Sequence, residues 1–185
     1  LLARWSGERW EPLPSMAVPV WSSSGFEVDS ATGQVFVATN VGLFRFDGER
    51  WSTAPVFSEP VLGLARMGRD LFIGSQAGLH RLPMDRPDGE LQEVLHERLE
   101  PVRGLQLEDG RLWIVEEDRV IWIENDTEHT LAESVDLSKL FVHHRGILIE
   151  GDGDGGVVLA SGRGAVRLSE DGTVGWCDSN TEPYM

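Results

Sequence analysis

A phrase near the start of the chain returns 41 residues later (43 − 2): Leu2-Ala3-Arg4-Trp5-Ser6-Gly7-Glu8-Arg9-Trp10 is echoed by Leu43-Phe44-Arg45-Phe46-Asp47-Gly48-Glu49-Arg50-Trp51. Self-similarity at a period near 40 residues, in segments of short apolar runs and glycine turns, specifies an array of small sheets and disfavours a single ordinary core. A first register of the repeat lies at Gly25, Gly63, Gly104 and Gly146. A second falls at Phe36, Phe72, Trp113 and Val158, inside runs whose aromatic and β-branched residues favour a pleated backbone. A third covers Leu43–Phe46, Leu79–Leu82, Val120–Ile123 and Ala165–Leu168. Asp-Gly pairs at Asp47-Gly48, Asp88-Gly89 and Asp171-Gly172 then supply turns, and a fourth strand closes each unit.

The repeat predicts an all-β fold of four-stranded antiparallel meanders arranged as β-propeller blades. A lone meander has two faces to cover, and radial stacking lets each blade cover its neighbour while leaving only short edges. The competing architecture, a β-sandwich with similar strand spacing, does not require whole phrases to recur. The units divide as a half blade at 1–10, blades at about 11–54, 55–97, 98–137 and 138–177, and a tail at 178–185. Four blades plus a half suggest a segment of a propeller of six to eight blades, or a chain that closes its ring with another chain.

Two units carry a more specific pattern. Val35-Phe36-Val37-Ala38-Thr39-Asn40-Val41-Gly42-Leu43-Phe44-Arg45-Phe46 and Leu71-Phe72-Ile73-Gly74-Ser75-Gln76-Ala77-Gly78-Leu79-His80-Arg81-Leu82 resemble two-component regulator propeller repeats. Gly162–Leu168 is a weaker match, and Glu116-Glu117-Asp118-Arg119 departs by replacing both the small hydroxyl residue and the glycine. The resemblance implies sensory propellers of the kind found outside the membrane in hybrid histidine kinases. It implies blade geometry and no particular ligand, so no functional residue is carried over from it.

Of 185 residues, 16 are basic and 31 acidic, giving a formal charge of −15, and Lys139 is the sole lysine. Phosphate backbones require clustered Lys and Arg, so a nucleic-acid partner is excluded. Cys177 is the only cysteine, which rules out an internal disulfide and a multi-cysteine zinc site. No apolar stretch reaches the length of a membrane-spanning helix.

Where the repeat breaks, a functional position and simple divergence are the two readings. In a propeller meander, turns between second and third strands share one rim with the connections between blades, and rigid scaffolds place recognition in such loops. That rim receives Pro12–Ser24 with Trp21, and the turn Glu116-Glu117-Asp118; these four residues are the candidate partner contacts. His143-His144 lies in a neighbouring connection, where adjacent side chains of an extended segment diverge and do not form a ligand pair. On the opposite rim, Glu150-Gly151-Asp152-Gly153-Asp154-Gly155-Gly156 lengthens a turn. Its Glu150, Asp152 and Asp154 echo the start of a calcium loop, although Val158 and Ser161 stand where later ligands belong. A glycine-rich hairpin with solvated acids competes with that Ca2+ reading. Recurrent Trp10 and Trp51, with Trp176, suit packing between outer strands better than a sugar-stacking series.

The chain contains no nucleophile elbow, zinc-protease helix, phosphate loop or dinucleotide fingerprint. The leading expectation is therefore a non-catalytic interaction or sensory propeller offering loop surfaces to a protein or a small ligand. A calcium- or carbohydrate-binding module comes second. A fragment of a propeller hydrolase or lyase comes third.

Overall fold

The computed structural model describes residues 3–16, 23–84, 92–93, 101–125, 127–132, 135–138, 140, 147–161, 164–169, 171 and 173–178. Every element among them is a strand. The leading pair β1 (Ala3–Trp5) and β2 (Trp10–Pro12) forms a two-stranded antiparallel hairpin. Blade A follows with β3 (Ser23–Asp29), β4 (Gln34–Thr39) and β5 (Gly42–Phe46). Blade B holds β6 (Val61–Met67), β7 (Asp70–Ser75), β8 (Gly78–Pro83) and β9 (Gln92–Glu93). Blade C holds β10 (Gly104–Glu108), β11 (Arg111–Val115), β12 (Val120–Glu124) and β13 (Thr127–Ala132). Blade D holds β14 (Leu148–Gly151), β15 (Val157–Ser161), β16 (Gly164–Leu168) and β17 (Val174–Asp178).

Strand order equals chain order in each sheet and all pairings are antiparallel, which is the meander expected from the repeat. Blade A lacks a regular fourth strand. Instead, Trp51 bridges Phe46 and Phe57 bridges Leu43, with Pro55 between them. Proline has no N–H to give to the ladder, so the fourth strand is interrupted there. Leu43 N–H still reaches the Phe57 carbonyl at 2.9 Å, and Val56 N–H reaches Leu43 at 2.8 Å.

Side-chain alternation sends the sheets of blades A, B and C each into two different cores, and blade D into one. Phe36, Ala38 and Leu43 of blade A meet Val61, Leu64, Leu71, Ile73 and Leu82 of blade B. The opposite face of B, with Ala65, Phe72 and Leu79, meets Leu105, Leu112, Ile114 and Ile121 of C. Trp113, Val115 and Val120 of C in turn meet Ile149, Val157, Leu159 and Val166 of D. Burying one Leu, Ile or Phe is worth about 1.5–3 kcal/mol, so these layers between blades dominate the stability. The first strands β3, β6, β10 and β14 contact one another in succession, marking the innermost position in each blade.

That close succession explains the first-register glycines. A Cβ on Gly63 would lie 2.8 Å from the Leu105 backbone nitrogen, and one on Gly104 would lie 3.1 Å from Ile149 Cδ1. In blade D the register differs from the expected Gly146, which lies outside the described residues. Gly25 pairs Ala38, Gly63 pairs Gly74 and Gly104 pairs Val115, while the residue pairing Ala160 is Leu148. Leu148 and Ala160 are 12 positions apart (160 − 148) against 11 for Gly63–Gly74 and Gly104–Val115, so the β14–β15 turn adds one residue where Gly146 would require three.

Gly63→Ala is expected to lower stability by about 1–3 kcal/mol through overpacking, because backbone on the facing strand cannot swing aside. Gly175→Ala, with nothing within 4 Å of the added carbon, should stay within about 0.5 kcal/mol of the parent. Urea melts of both variants check the contrast.

Candidate functional site

The rim turn between second and third strands is built from a hydroxyl and a glycine three residues apart. In blade A, Thr39 Oγ1 donates to the Gly42 carbonyl at 2.6 Å and accepts from Val41 N–H at 3.2 Å. In blade B, Ser75 Oγ donates to Gly78 at 3.4 Å and accepts from Ala77 N–H at 3.0 Å. Both hydroxyls are fully buried. Gly42 and Gly78 adopt φ of 137° and 112°, where a side chain would be strained.

Blade C makes the same turn with different chemistry. Glu116 takes the hydroxyl's position and Arg119 the glycine's, and the Glu116 N–H donates to the Arg119 carbonyl at 2.9 Å. The Glu116 carboxylate receives Arg119 Nε at 2.8 Å and the terminal nitrogen at 2.7 Å. Glu116 is as buried as Thr39 and Ser75, so an ion pair spanning the same three-residue interval replaces the hydroxyl staple. Arg119 is not among the positive-φ residues, so losing the glycine costs no backbone strain.

Of the three acidic candidates, the structure thus turns Glu116 inward and leaves Glu117 and Asp118 on the exposed tip. Arg103, on the connection entering blade C, pairs with Glu117 at 3.2 Å. Asp118 accepts Val135 N–H at 2.9 Å through its main-chain oxygen, leaving its carboxylate directed by no main-chain role. The tip therefore joins one turn to the connections on both sides of the blade. Trp21 and His143-His144 lie outside the described residues.

The acidic turn occupies the opposite rim, between β14 and β15. Asp152 Oδ1 accepts the N–H groups of Asp154 and Gly156, both at 2.9 Å. Its other oxygen receives Arg167 Nε at 2.9 Å, and Asp154 lies 3.4 Å from the same guanidinium. The Asp154 amide hydrogen bond, together with the Arg167 interaction, lowers the Asp152 pKa against the opposing effect of desolvation. Asp152 in turn raises that of Arg167. Glu150 points to solvent from β14. Among the described residues no group of three or more His, Cys, Asp or Glu is placed to hold a metal ion. Arg167 is thus the cation that both aspartates face.

Catalytic geometry is similarly occupied by structure. Ser75 Oγ lies 3.5 Å from His80 Nε2, yet the serine is buried and hydrogen-bonds the turn, while the His80 ring packs tilted against Phe57 at 4.9 Å between centroids. Trp51 behaves as a packing residue: it contacts Phe46 at 5.2 Å and donates from Nε1 to the Pro14 carbonyl at 2.7 Å. Sequence reasoning missed the Glu116–Arg119 pair, although the three-residue interval shared with Thr39–Gly42 and Ser75–Gly78 was the available signal.

No family model matches the sequence, and no curated protein matches it. Solved structures do. The extracellular domain assigned to a hybrid two component system of B. thetaiotaomicron superposes with a TM-score of 0.60 at 16% identity, over 88% of this chain and 22% of that one. Virginiamycin B lyase from Staphylococcus aureus gives 0.58 at 17% identity over 94% of this chain and 60% of that one. The WD40 propeller domain of Doa1 gives 0.54 at 14% identity, over 82% and 52%. The chain thus spans about a quarter of the extracellular domain and under two thirds of the lyase. The likeness establishes the β-propeller fold, with an extracellular domain of a two component system, a WD40 domain and a lyase among its bearers.

Glu116→Gln is expected to destabilise by on the order of 3 kcal/mol, because it leaves a largely buried guanidinium without its main counter-charge. The double change Glu116→Thr with Arg119→Gly should recover most of that loss by restoring the staple of blades A and B; thermal melts decide. For Asp152, a lowered folded pKa means that its stabilisation is complete above the unfolded aspartate value and fades as pH falls through the folded one. Asp152→Asn should therefore show a shallower loss of stability on acidification than the parent protein.

Proposed function

We propose that this chain is a non-catalytic interaction or sensory propeller segment, whose rim at the blade C turn meets a protein partner with a basic contact surface. The single observation that carries the reading is the arrangement at that turn. Glu116 and Arg119 hold the backbone from below, while Glu117 and Asp118 remain exposed at the junction of two connections between blades. Support comes also from the formal charge of −15, which favours encounter with cationic surfaces. The serine and the paired acid and base that could suggest chemistry have turn-building roles instead. The calcium, carbohydrate and enzyme alternatives gain no comparable observation.

Exposed carboxylates contribute through steering and complementary contact more than through fold stability. The variant Glu117→Lys with Asp118→Lys loses the Arg103–Glu117 pair and should therefore melt within about 1–2 kcal/mol of the parent, still folded, while retaining less partner from a native extract. Retention by the parent should fall with added salt, since screening shortens the reach of exposed charge. Identical partner recovery by parent and variant would remove this rim as the interaction surface.

A further inference from the structure

An aspartate followed by glycine is open to attack by its own main chain, because no side chain shields the glycine nitrogen from the aspartate carboxyl group. The chain holds this pair six times, beginning at Asp47, Asp88, Asp109, Asp152, Asp154 and Asp171. Asp88 lies outside the described residues. Elsewhere, with one exception, the carboxylate is engaged by groups beyond the adjoining glycine. Asp47 Oδ1 accepts the N–H groups of Glu49 and Arg50, both at 2.9 Å, and Asp171 Oδ1 accepts Thr173 N–H at 2.9 Å. Asp152 is held by the N–H groups of Asp154 and Gly156 and by Arg167, which also faces Asp154. The Arg50 amide, the Asp154 amide and the Thr173 side chain lead in lowering the pKa of Asp47, Asp152 and Asp171 respectively, which keeps those groups in the less electrophilic anionic form.

Asp109 is the exception. With Gly110 it forms the two-residue turn between β10 and β11; both residues are exposed, and among the described residues its carboxylate has no hydrogen-bond or ion-pair partner. Asp109 and Gly110 take φ of 49° and 79°, the left-handed pair of a type I′ turn. Blade B closes its matching hairpin with Gly68-Arg69 and puts glycine in the left-handed first position, at φ 63°. An L-residue there crowds its Cβ against the following carbonyl oxygen, so Asp109 carries a strain that Gly68 does not.

We propose that Asp109 is a modification site at which the folded protein forms isoaspartate. The Gly110 nitrogen attacks the protonated side-chain carboxyl carbon, its proton leaves with the hydroxyl as water, and a cyclic succinimide closes. Water then adds to a ring carbonyl, and opening on the α side leaves the main chain running through Cβ to Gly110. One water leaves and one returns, so no oxidant or reductant is needed. The product has one more main-chain carbon and a free α-carboxylate, which releases the turn from its left-handed geometry. Spreading that turn displaces Glu108, which pairs with Arg111 beside it and whose carboxylate accepts the Gly151 N–H of blade D. The modification therefore reaches the seam between blades C and D. It lies on the rim opposite Glu117 and Asp118 and does not depend on their role.

The test ages the native protein at physiological temperature in water enriched in heavy oxygen and then maps its tryptic peptides. Gly104–Arg111 carries Asp109, Phe46–Arg50 carries Asp47, and Gly146–Arg163 carries Asp152 and Asp154. Gly104–Arg111 is expected to yield a second chromatographic form that carries heavy oxygen and accepts a methyl group from S-adenosylmethionine through an isoaspartate carboxyl methyltransferase. It should accumulate several-fold faster than the same change in the other two peptides, and unfolding before ageing should narrow that difference. Asp109→Gly keeps a residue suited to the left-handed turn but lacks the electrophilic carbon, and should remove the modified form while leaving the fold intact. In the modified fraction the Gly151 amide should exchange faster with solvent. Equal labelling of Asp109 and Asp47 in the folded protein, or labelling of Asp109 only after unfolding, overturns the proposal. A difference that persists unchanged after unfolding overturns it too, by assigning the effect to local sequence. Unchanged protection of Gly151 overturns the link to the seam.

Discussion

A four-stranded meander presents two pleated faces, and in blades A, B and C both are apolar, so these blades depend on neighbours. The neighbouring blade is the solvent substitute. Every other feature is subordinate to that requirement: the alternation along each strand, the aromatic residues at Phe36, Phe72 and Trp113, and the glycines where first strands converge. Gly63 and Gly104 matter because the facing atoms belong to a neighbouring strand rather than to their own turn. A methyl group there would separate two blades along their length and loosen a whole apolar layer.

The rim turns obey a second, local requirement, which is to close a tight hairpin without stranding polar atoms in the apolar layer. A hydroxyl bonded across three residues satisfies it in blades A and B. Glu116 and Arg119 satisfy it in blade C with opposite charges, a solution that holds only while both partners are present. Asn40 and Val41 of blade A are exposed at the tip just as Glu117 and Asp118 of blade C are, so what distinguishes blade C is the charge of its tip.

The strands were largely legible because period-two alternation and turn glycines act locally: β4, β5, β7, β8, β11, β12, β15 and β16 lie within a residue or so of the runs read from the sequence. Blade A's broken fourth strand and blade D's displaced register were not, since both depend on pairing partners. Pro55 disrupts a ladder whose other strand is Leu43–Phe46, and the β14–β15 turn adds fewer residues than Gly146 would require, which puts Leu148 in the place expected for that glycine. The acidic motifs were visible as compositions, but their roles were not. Whether Glu116 or Asp152 meets a ligand or an arginine is decided by Arg119 and Arg167, and Arg167 stands fifteen residues from the aspartate it holds.

Blade D shows how far the repeat logic reaches. Its face toward C keeps the pattern, with Ile149, Leu159, Val166 and Leu168 all buried. Its other face inverts it. Val158 and Ala165 stand where the earlier blades carry Phe36 and Leu43, Phe72 and Leu79, or Trp113 and Val120, whereas Leu148 stands where B and C carry glycine. A neighbour seated as C sits on B would drive its first strand into the Leu148 side chain and leave a void over Val158 and Ala165. Both errors cost packing energy, one by overfilling and one by cavity. The two outward sides of the array are therefore not equivalent: the blade A side continues the shape of the internal layers, and the blade D side, lined by Leu148, Glu150 and the Asp152–Arg167 pair, does not.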